Sequence, residues 1–189
     1  DMAKEGETAV AWLESLNLDA YKVLHIMGQM GSAAQIGRSG ALQAKCDADE
    51  KWTMVREGTG GDSWDPAEAR KIAEAAIDAG EDFNIVYAEN DGMAQGVVEA
   101  LDAKGITHGV GKDVIIMGFD CNKYALENLK SQTWNYDGQC NPFQAKYIVD
   151  IIEKLEMGVT LDPKTIIMDE KGFDAATITQ EDVDTYGIG

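Results

Sequence analysis

The sequence predicts an α/β fold: a doubly wound, mainly parallel sheet with flanking helices, built as one lobe. Three observations carry that reading. Short β-branched apolar runs alternate with longer stretches of 3.6-residue apolar spacing. The longer stretches begin and end on residues with the chemistry of helix caps. Apolar residues make up 44% and charged residues 26% of 189, enough apolar material for one sizeable core.

In chain order the spacing predicts a helix over 3–15, a strand over 22–28, a helix over 33–46 and a strand over 52–57. A glycine-rich loop over 58–63 follows that strand, and Asp65-Pro66 then sets a capping carboxylate before a proline at the first helical position, opening a helix over 66–79. A strand over 83–88 leads to a helix over 92–104, with Asp91 expected as its cap. The apolar run 113–119 predicts the next strand. A helix over 123–130, a strand over 133–138, a helix over 142–157 and a strand over 165–168 complete the pattern. Gly80, Gly105 and Gly158 fall just past helix ends, where a left-handed residue is favoured.

Charge excludes whole classes of partner. With 16 basic and 34 acidic residues the net charge is −18, which opposes binding to nucleic acid or to anionic membrane surfaces. No apolar run approaches the roughly 18 residues of a membrane-spanning helix. The chain does not open on a basic segment and apolar core of the kind that marks a secretion signal. Three cysteines, Cys46, Cys121 and Cys140, supply neither a disulfide framework nor a CxxC metal knuckle.

In an open parallel sheet the ligand crevice lies beyond the carboxyl ends of the strands. The residues there are polar and aromatic: Gly28-Gln29-Met30-Gly31-Ser32 with Arg38 in the next helix, Ser63-Trp64-Asp65, Glu89-Asn90-Asp91, Asp120, and Gln139-Cys140-Asn141-Pro142. Gly28 and Gly31 do not make a dinucleotide fingerprint, and Gly111-Lys112-Asp113 precedes a strand rather than a helix. His25 lies inside an apolar strand and reads as a core residue. No catalytic triad, zinc motif or calcium loop is present.

Each remaining candidate has two readings. Arg38 offers a planar fork of donors to a ligand, or a salt bridge to a carboxylate. Asp120 accepts from two hydroxyls, or caps a helix. Asn90 both donates and accepts, or is a turn residue. Trp64 covers an apolar sugar face, or packs on the following helix. Together they describe a hydrogen-bonding, aromatic-flanked crevice that needs no metal or cofactor and suits a polyhydroxylated ligand.

The same residues carry a resemblance. Residues 1–6, Gly28 to Gly40 with Arg38, Tyr87-Ala88-Glu89-Asn90-Asp91-Gly92-Met93-Ala94, Gly111-Lys112-Asp113-Val114, Gly118-Phe119-Asp120, Gln139-Cys140-Asn141-Pro142 and Thr185-Tyr186-Gly187 resemble, in order, the carboxyl-terminal two-thirds of a type I periplasmic sugar-binding protein of the ribose, galactose and galactofuranose importer group. The resemblance implies a non-enzymatic binding component of an ATP-driven importer, outside the cytoplasm as a periplasmic protein or cell-surface lipoprotein. A membrane permease would be its partner and a monosaccharide its ligand. It implies that Arg38, Trp64, Asn90, Asp120 and Gln139 contact the sugar, with Trp64 where the family usually has a stacking Phe. Cys121 and Cys140, beside two of these positions, depart from the pattern.

It further implies that 1–138 form the carboxyl-terminal lobe, that 139–162 cross into the other lobe as a connection and helix, and that 163–189 return as a strand and tail. The amino-terminal lobe is then largely missing. That leaves an apolar stripe of Phe143, Tyr147, Ile148, Ile151, Ile152 and Leu155 without cover, so self-association of the chain is expected. A sugar-responsive transcription regulator shares the fold and is the alternative. An α/β enzyme using Asp120 as acid or base lacks a second catalytic group at suitable spacing.

Overall fold

The computed structural model describes residues 1–189. Six strands form one sheet: β1 (Tyr21–Met27), β2 (Trp52–Thr59), β3 (Ile85–Ala88), β4 (Ile115–Phe119), β5 (Tyr136–Gly138) and β6 (Gly172–Asp174), in the order β2-β1-β3-β4-β5-β6. The first five run parallel, and β6 pairs antiparallel with β5. The helices are α1 (Met2–Ser15), α2 (Ala33–Ala48), α3 (Pro66–Asp78), α4 (Asp91–Lys104), α5 (Lys123–Lys130), α6 (Ala145–Glu156) and α7 (Gln180–Tyr186).

Strand alternation sends successive side chains into two cores. Val23, Ile85, Tyr87, Met117 and Phe119 meet Ala9, Val10 and Leu13 of α1 and Leu42 of α2 on one face. Leu24, Ile26, Val86, Ala88 and Ile116 meet α3, α4 and α5 on the other. Covering both faces is what lets parallel strands be apolar at consecutive positions. The sheet order reverses between β1 and β3, so the loops after those strands part and open a crevice at the carboxyl edge.

The expected elements form within two or three residues of their predicted bounds, with corrections after residue 138 and at one cap. No strand forms over 165–168; those residues have no regular structure. A strand needs a neighbour to take up its backbone groups, and no backbone hydrogen bond joins this segment to another strand. The returning strand is instead β6, and α7 follows it under a Thr179–Asp182 capping box, placing Phe173 and Val183 in the core. Asp91 does not cap α4. Asn90 does, its Oδ1 accepting from Met93 N at 2.8 Å, while Asp91 is the first helical residue and fully buried. Gly80, Gly105 and Gly158 adopt the left-handed conformation expected of them. Helix α6 buries no residue at all.

Candidate functional site

At the carboxyl edge of the sheet a hollow of about 320 Å³ is lined by Ala34, Arg38, Trp64, Asn90, Asp120 and Cys140. Four of the five residues expected to touch a ligand therefore share one cavity. Its size falls at the lower end of small-molecule sites, about 300–1,000 Å³. A wider groove of about 610 Å³ between α1 and α2 is lined mostly by alanine and glycine, with Glu7, Glu14 and Lys45 among them. It lies away from the strand ends and gathers none of these candidates.

Arg38 is the best-anchored side chain of the site. It lies on α2, 2% exposed, with Nε donating to Glu5 Oε2 at 2.7 Å, Nη2 to Asp120 Oδ1 at 2.9 Å, and Nη1 to the carbonyl of Glu89. Its guanidinium carbon stands 4.8 Å from the Phe119 ring centre, a cation–π contact. The salt bridge and the ligand reading thus coexist: the guanidinium is fixed by the protein while one edge reaches the hollow. Burial opposes the charge, but Asp120 and Glu5 outweigh it and hold the guanidinium charged. Each carboxyl sees one arginine and less compensation, so burial leaves both Glu5 and Asp120 raised despite Arg38.

Asp120 is the side chain that faces outward. It is 35% exposed, against 2% for Arg38, and only Oδ1 is engaged by the protein. Asn90 commits Oδ1 to the α4 cap, which leaves its amide nitrogen uncommitted at the lining of the hollow. Trp64 has a left-handed backbone (φ 54°) and lays its ring directly on Gly28. A Cβ at residue 28 would lie 2.0 Å from that ring, so only glycine admits it. Gly28→Ala is expected to displace the indole and to cost about 1–3 kcal/mol of stability by overpacking. The shift of the Trp64 indole N–H resonance, read together with the thermal midpoint, checks this; an unmoved resonance refutes it.

Gln139 does not join the other four. It lines a neighbouring cavity with Glu5, Tyr136 and Glu170, 5% exposed, and its side-chain oxygen accepts from Lys171 N at 3.2 Å. Pairing β5 with the segment leading into β6 turns this residue inward, because its own N–H also bonds the Lys171 carbonyl. Cys140 takes the place at the rim, its thiol pushed up to about 11 by burial and then by the Glu5 charge. Cys121 is buried, and all three thiols are free.

Several supporting residues escape a reading of the sequence. Glu89 is fully buried and accepts from Gly28 N at 2.8 Å, from Ser39 Oγ, and from the His25 ring at 3.2 Å, tying the ends of β1 and β3 to α2. His25 is buried as expected, but between Glu57 and Glu89 rather than among apolar groups. Glu5 had a signal: it falls in helical register with Ala9 and Leu13 on the buried face of α1.

The profile of the periplasmic binding protein domain matches residues 1–158. The chain belongs to the periplasmic binding protein family. That is a family of binding proteins rather than enzymes. Among its curated relatives, the ribose import binding protein of Bacillus subtilis is 30% identical over 132 residues, 70% of this chain and 40% of that protein. The fructose import binding protein of Bifidobacterium longum is 31% identical over 117 residues, 61% of this chain and 34% of that one. The matched segments of this binding-protein chain thus span well under half the length of either relative. In fold it is similar to a galactofuranose binding protein, with TM-score 0.84 and 21% identity over 98% of this chain and 62% of the other. It is also similar to the arabinose transporter's binding protein from Shewanella sp. ANA-3, with TM-score 0.83 and 22% identity over 97% and 59%. No helix of the chain is long and apolar enough to cross a membrane.

Proposed function

We propose that this chain is the solute-binding component of an ATP-driven sugar importer and takes a monosaccharide in the hollow at the carboxyl edge of its sheet. The observation that carries the reading is the convergence of Arg38, Trp64, Asn90 and Asp120 on one cavity of about 320 Å³. The ribose and fructose import roles of its relatives support it. In this mechanism the free oxygen of Asp120 and the outer edge of Arg38 fix hydroxyl and ring oxygens, the Asn90 amide reads a neighbouring hydroxyl, and Trp64 covers an apolar sugar face. Buried polar groups discriminate well because a mismatched hydroxyl leaves one of them unpaired.

The layout follows the same reading. Residues 1–138 form one lobe, 139–162 cross to a second, and 163–189 return; two lobes closing on the sugar are what a membrane permease senses. The protein then works outside the cytoplasmic membrane, as a periplasmic protein or a cell-surface lipoprotein. Titration calorimetry with a panel of pentoses and hexoses tests the site. One sugar is expected to bind this chain more weakly than micromolar, since the second lobe's contacts and the exclusion of water are absent. Asp120→Ala should abolish that binding. Equal heats from every sugar, or binding untouched by Asp120→Ala, refute the reading.

A further inference from the structure

Behind the hollow lie two carboxyls that ligand contact does not use. Asp91 opens α4 and Asp137 sits in the middle of β5, and both are fully buried. Asp91 Oδ2 accepts from Asn122 N at 2.7 Å and from Asn122 Nδ2 at 3.1 Å; Asp137 Oδ1 accepts from Cys121 N at 3.2 Å. The other oxygens, Asp91 Oδ1 and Asp137 Oδ2, find no donor in the protein. The two carboxyls instead face each other within reach of a hydrogen bond. Two carboxylates only accept, so that bond exists when a proton lies between them. Space for it is built in: a Cβ at Gly118 would lie 2.4 Å from Asp91 Oδ1.

What the pair grips is an unusual turn. Asp120 and Cys121 have φ of 106° and 59°, two consecutive left-handed conformations without glycine. Each such residue costs about 1–3 kcal/mol and persists only where its surroundings enforce it. The turn presents Asp120 to the hollow.

We infer that Asp91 and Asp137 form a one-proton carboxyl dyad that positions the turn 120–122, and that loss of the proton loosens the turn and releases Asp120 from its aim into the hollow. The consequence for a bound sugar rests on the proposed function; the proton and the turn do not. Backbone bonds from Asp120 N to Gly138 O and from Ile188 N to Cys121 O survive deprotonation, so the turn slackens rather than unfolds.

The direction of the pH effect follows from burial. Burial, then the neighbouring Asp137 charge, drives the Asp91 carboxyl well above the carboxylate range. Burial pushes Asp137 up to about 7, tempered by its bonds from Asp91 and from the Cys121 amide, so Asp137 gives up its proton first and the one-proton dyad is the state in which Asp91 donates to the Asp137 carboxylate. The groups facing the pair are Asp120, the Cys121 thiol, Tyr124 of α5 and Tyr136 of β5, with Asp174 beside Tyr136 and Arg38 beyond Asp120. Burial holds the thiol and both phenols protonated well above neutrality. An unfolded aspartate gives up its proton near pH 3.9. The folded chain keeps protons that the unfolded chain has lost, so this contribution to stability is fully present below about pH 4 and declines as pH rises through about 7.

Amide hydrogen exchange of the full chain, followed by NMR from about pH 5 to about pH 10, tests the dyad without any sugar. Protection of the Cys121 and Asn122 amides is expected to hold as pH passes 7 and to fall at the higher pH where Asp91 gives up the shared proton, beyond the base-catalysed rise shared by all amides. A carboxylic-acid carbonyl band in the infrared should disappear over the same range. In Asp137→Asn the amide donates to Asp91 without a titrating proton, so the step should vanish and protection persist to the highest pH. Asp91→Asn makes the mirror-image bond and should do the same if the first variant does not fold. Exchange at Cys121 and Asn122 that shows no step in the parent chain, or the same step in the folded variant, overturns the dyad.

Discussion

Arg38→Ala is expected to destabilise the chain by about 3–5 kcal/mol, the usual cost of removing one partner from a buried ion pair. The reason lies in what stays behind. Glu5 is 2% exposed and its Oε1 already has no partner, so losing the Arg38 contact to Oε2 leaves the carboxylate without either bond. Asp120, at 35% exposed, is rehydrated cheaply by comparison. The deficit should also depend on pH in a definite direction. Without Arg38, burial and then the Glu170 charge, opposed only by the chain's amino terminus, raise the folded Glu5 carboxyl further above the unfolded value of about 4.3. An acid whose folded pKa is raised loses stability as pH climbs, so the deficit grows from about pH 4 towards neutrality and shrinks again on acidification. Glu5→Gln combined with Arg38→Met removes both charges and keeps their volume, and should recover most of the loss, because burying an ion pair carries a large desolvation cost. Urea unfolding of the single and double variants at two pH values measures all three effects. A single variant within about 1 kcal/mol of the parent, the range of an exposed surface pair, means the ion pair is not the anchor described. Both variants should fail to bind sugar.

How far the sequence could have anticipated this site differs from residue to residue. Elements with local causes are legible: Asp65 before Pro66 fixes the start of α3, and the apolar runs of β1, β3 and β4 need only the two-sided burial of a parallel sheet. Arg38, Trp64, Asn90 and Asp120 are legible because each follows a strand whose carboxyl end must face the crevice. Causes that act between distant segments are not. Residues 165–168 have β-branched character, but a strand forms only where another strand offers its backbone. Gln139 stands in the expected place after β5, yet pairing with Lys171 turns it inward. Asn90 and Asp91 are chemically equivalent as caps; what separates them is Asn122, 31 residues further on, whose backbone and side-chain amides hold the Asp91 carboxyl in the interior. Glu5, Glu89 and Asp137 are ordinary acids in a chain with 34 of them, and only three-dimensional partners set them apart.

Self-association of the isolated chain through α6 should be the most visible behaviour in solution. Phe143, Ile148, Val149, Ile152, Leu155 and Met157 are each half or more exposed, and Ile166 and Ile167 beside them add to the patch. Ile148, Ile152 and Leu155 fall at helical spacing on one stripe, so a second copy of α6 can cover all three at once. Fully burying one such side chain gains about 1.5–3 kcal/mol, and these are already about half buried. Six of them return roughly 5–9 kcal/mol against an association cost of about 4 kcal/mol or more, a net gain of at most about 5 kcal/mol, which places the dissociation constant at about 0.2 mM or weaker. The net charge of −18 works the other way, repelling copies at low ionic strength, so added salt should strengthen association by screening that repulsion. Sedimentation velocity at concentrations rising to about 1 mM and at two salt levels should therefore show a salt-promoted dimer or larger species. Ile148→Lys with Ile152→Lys should return it to a monomer with its thermal midpoint little changed, because α6 contributes no buried residue to the core. A parent chain that stays monomeric throughout, with α6 ordered and solvated, contradicts the expectation and would mean that the chain covers its own stripe in solution.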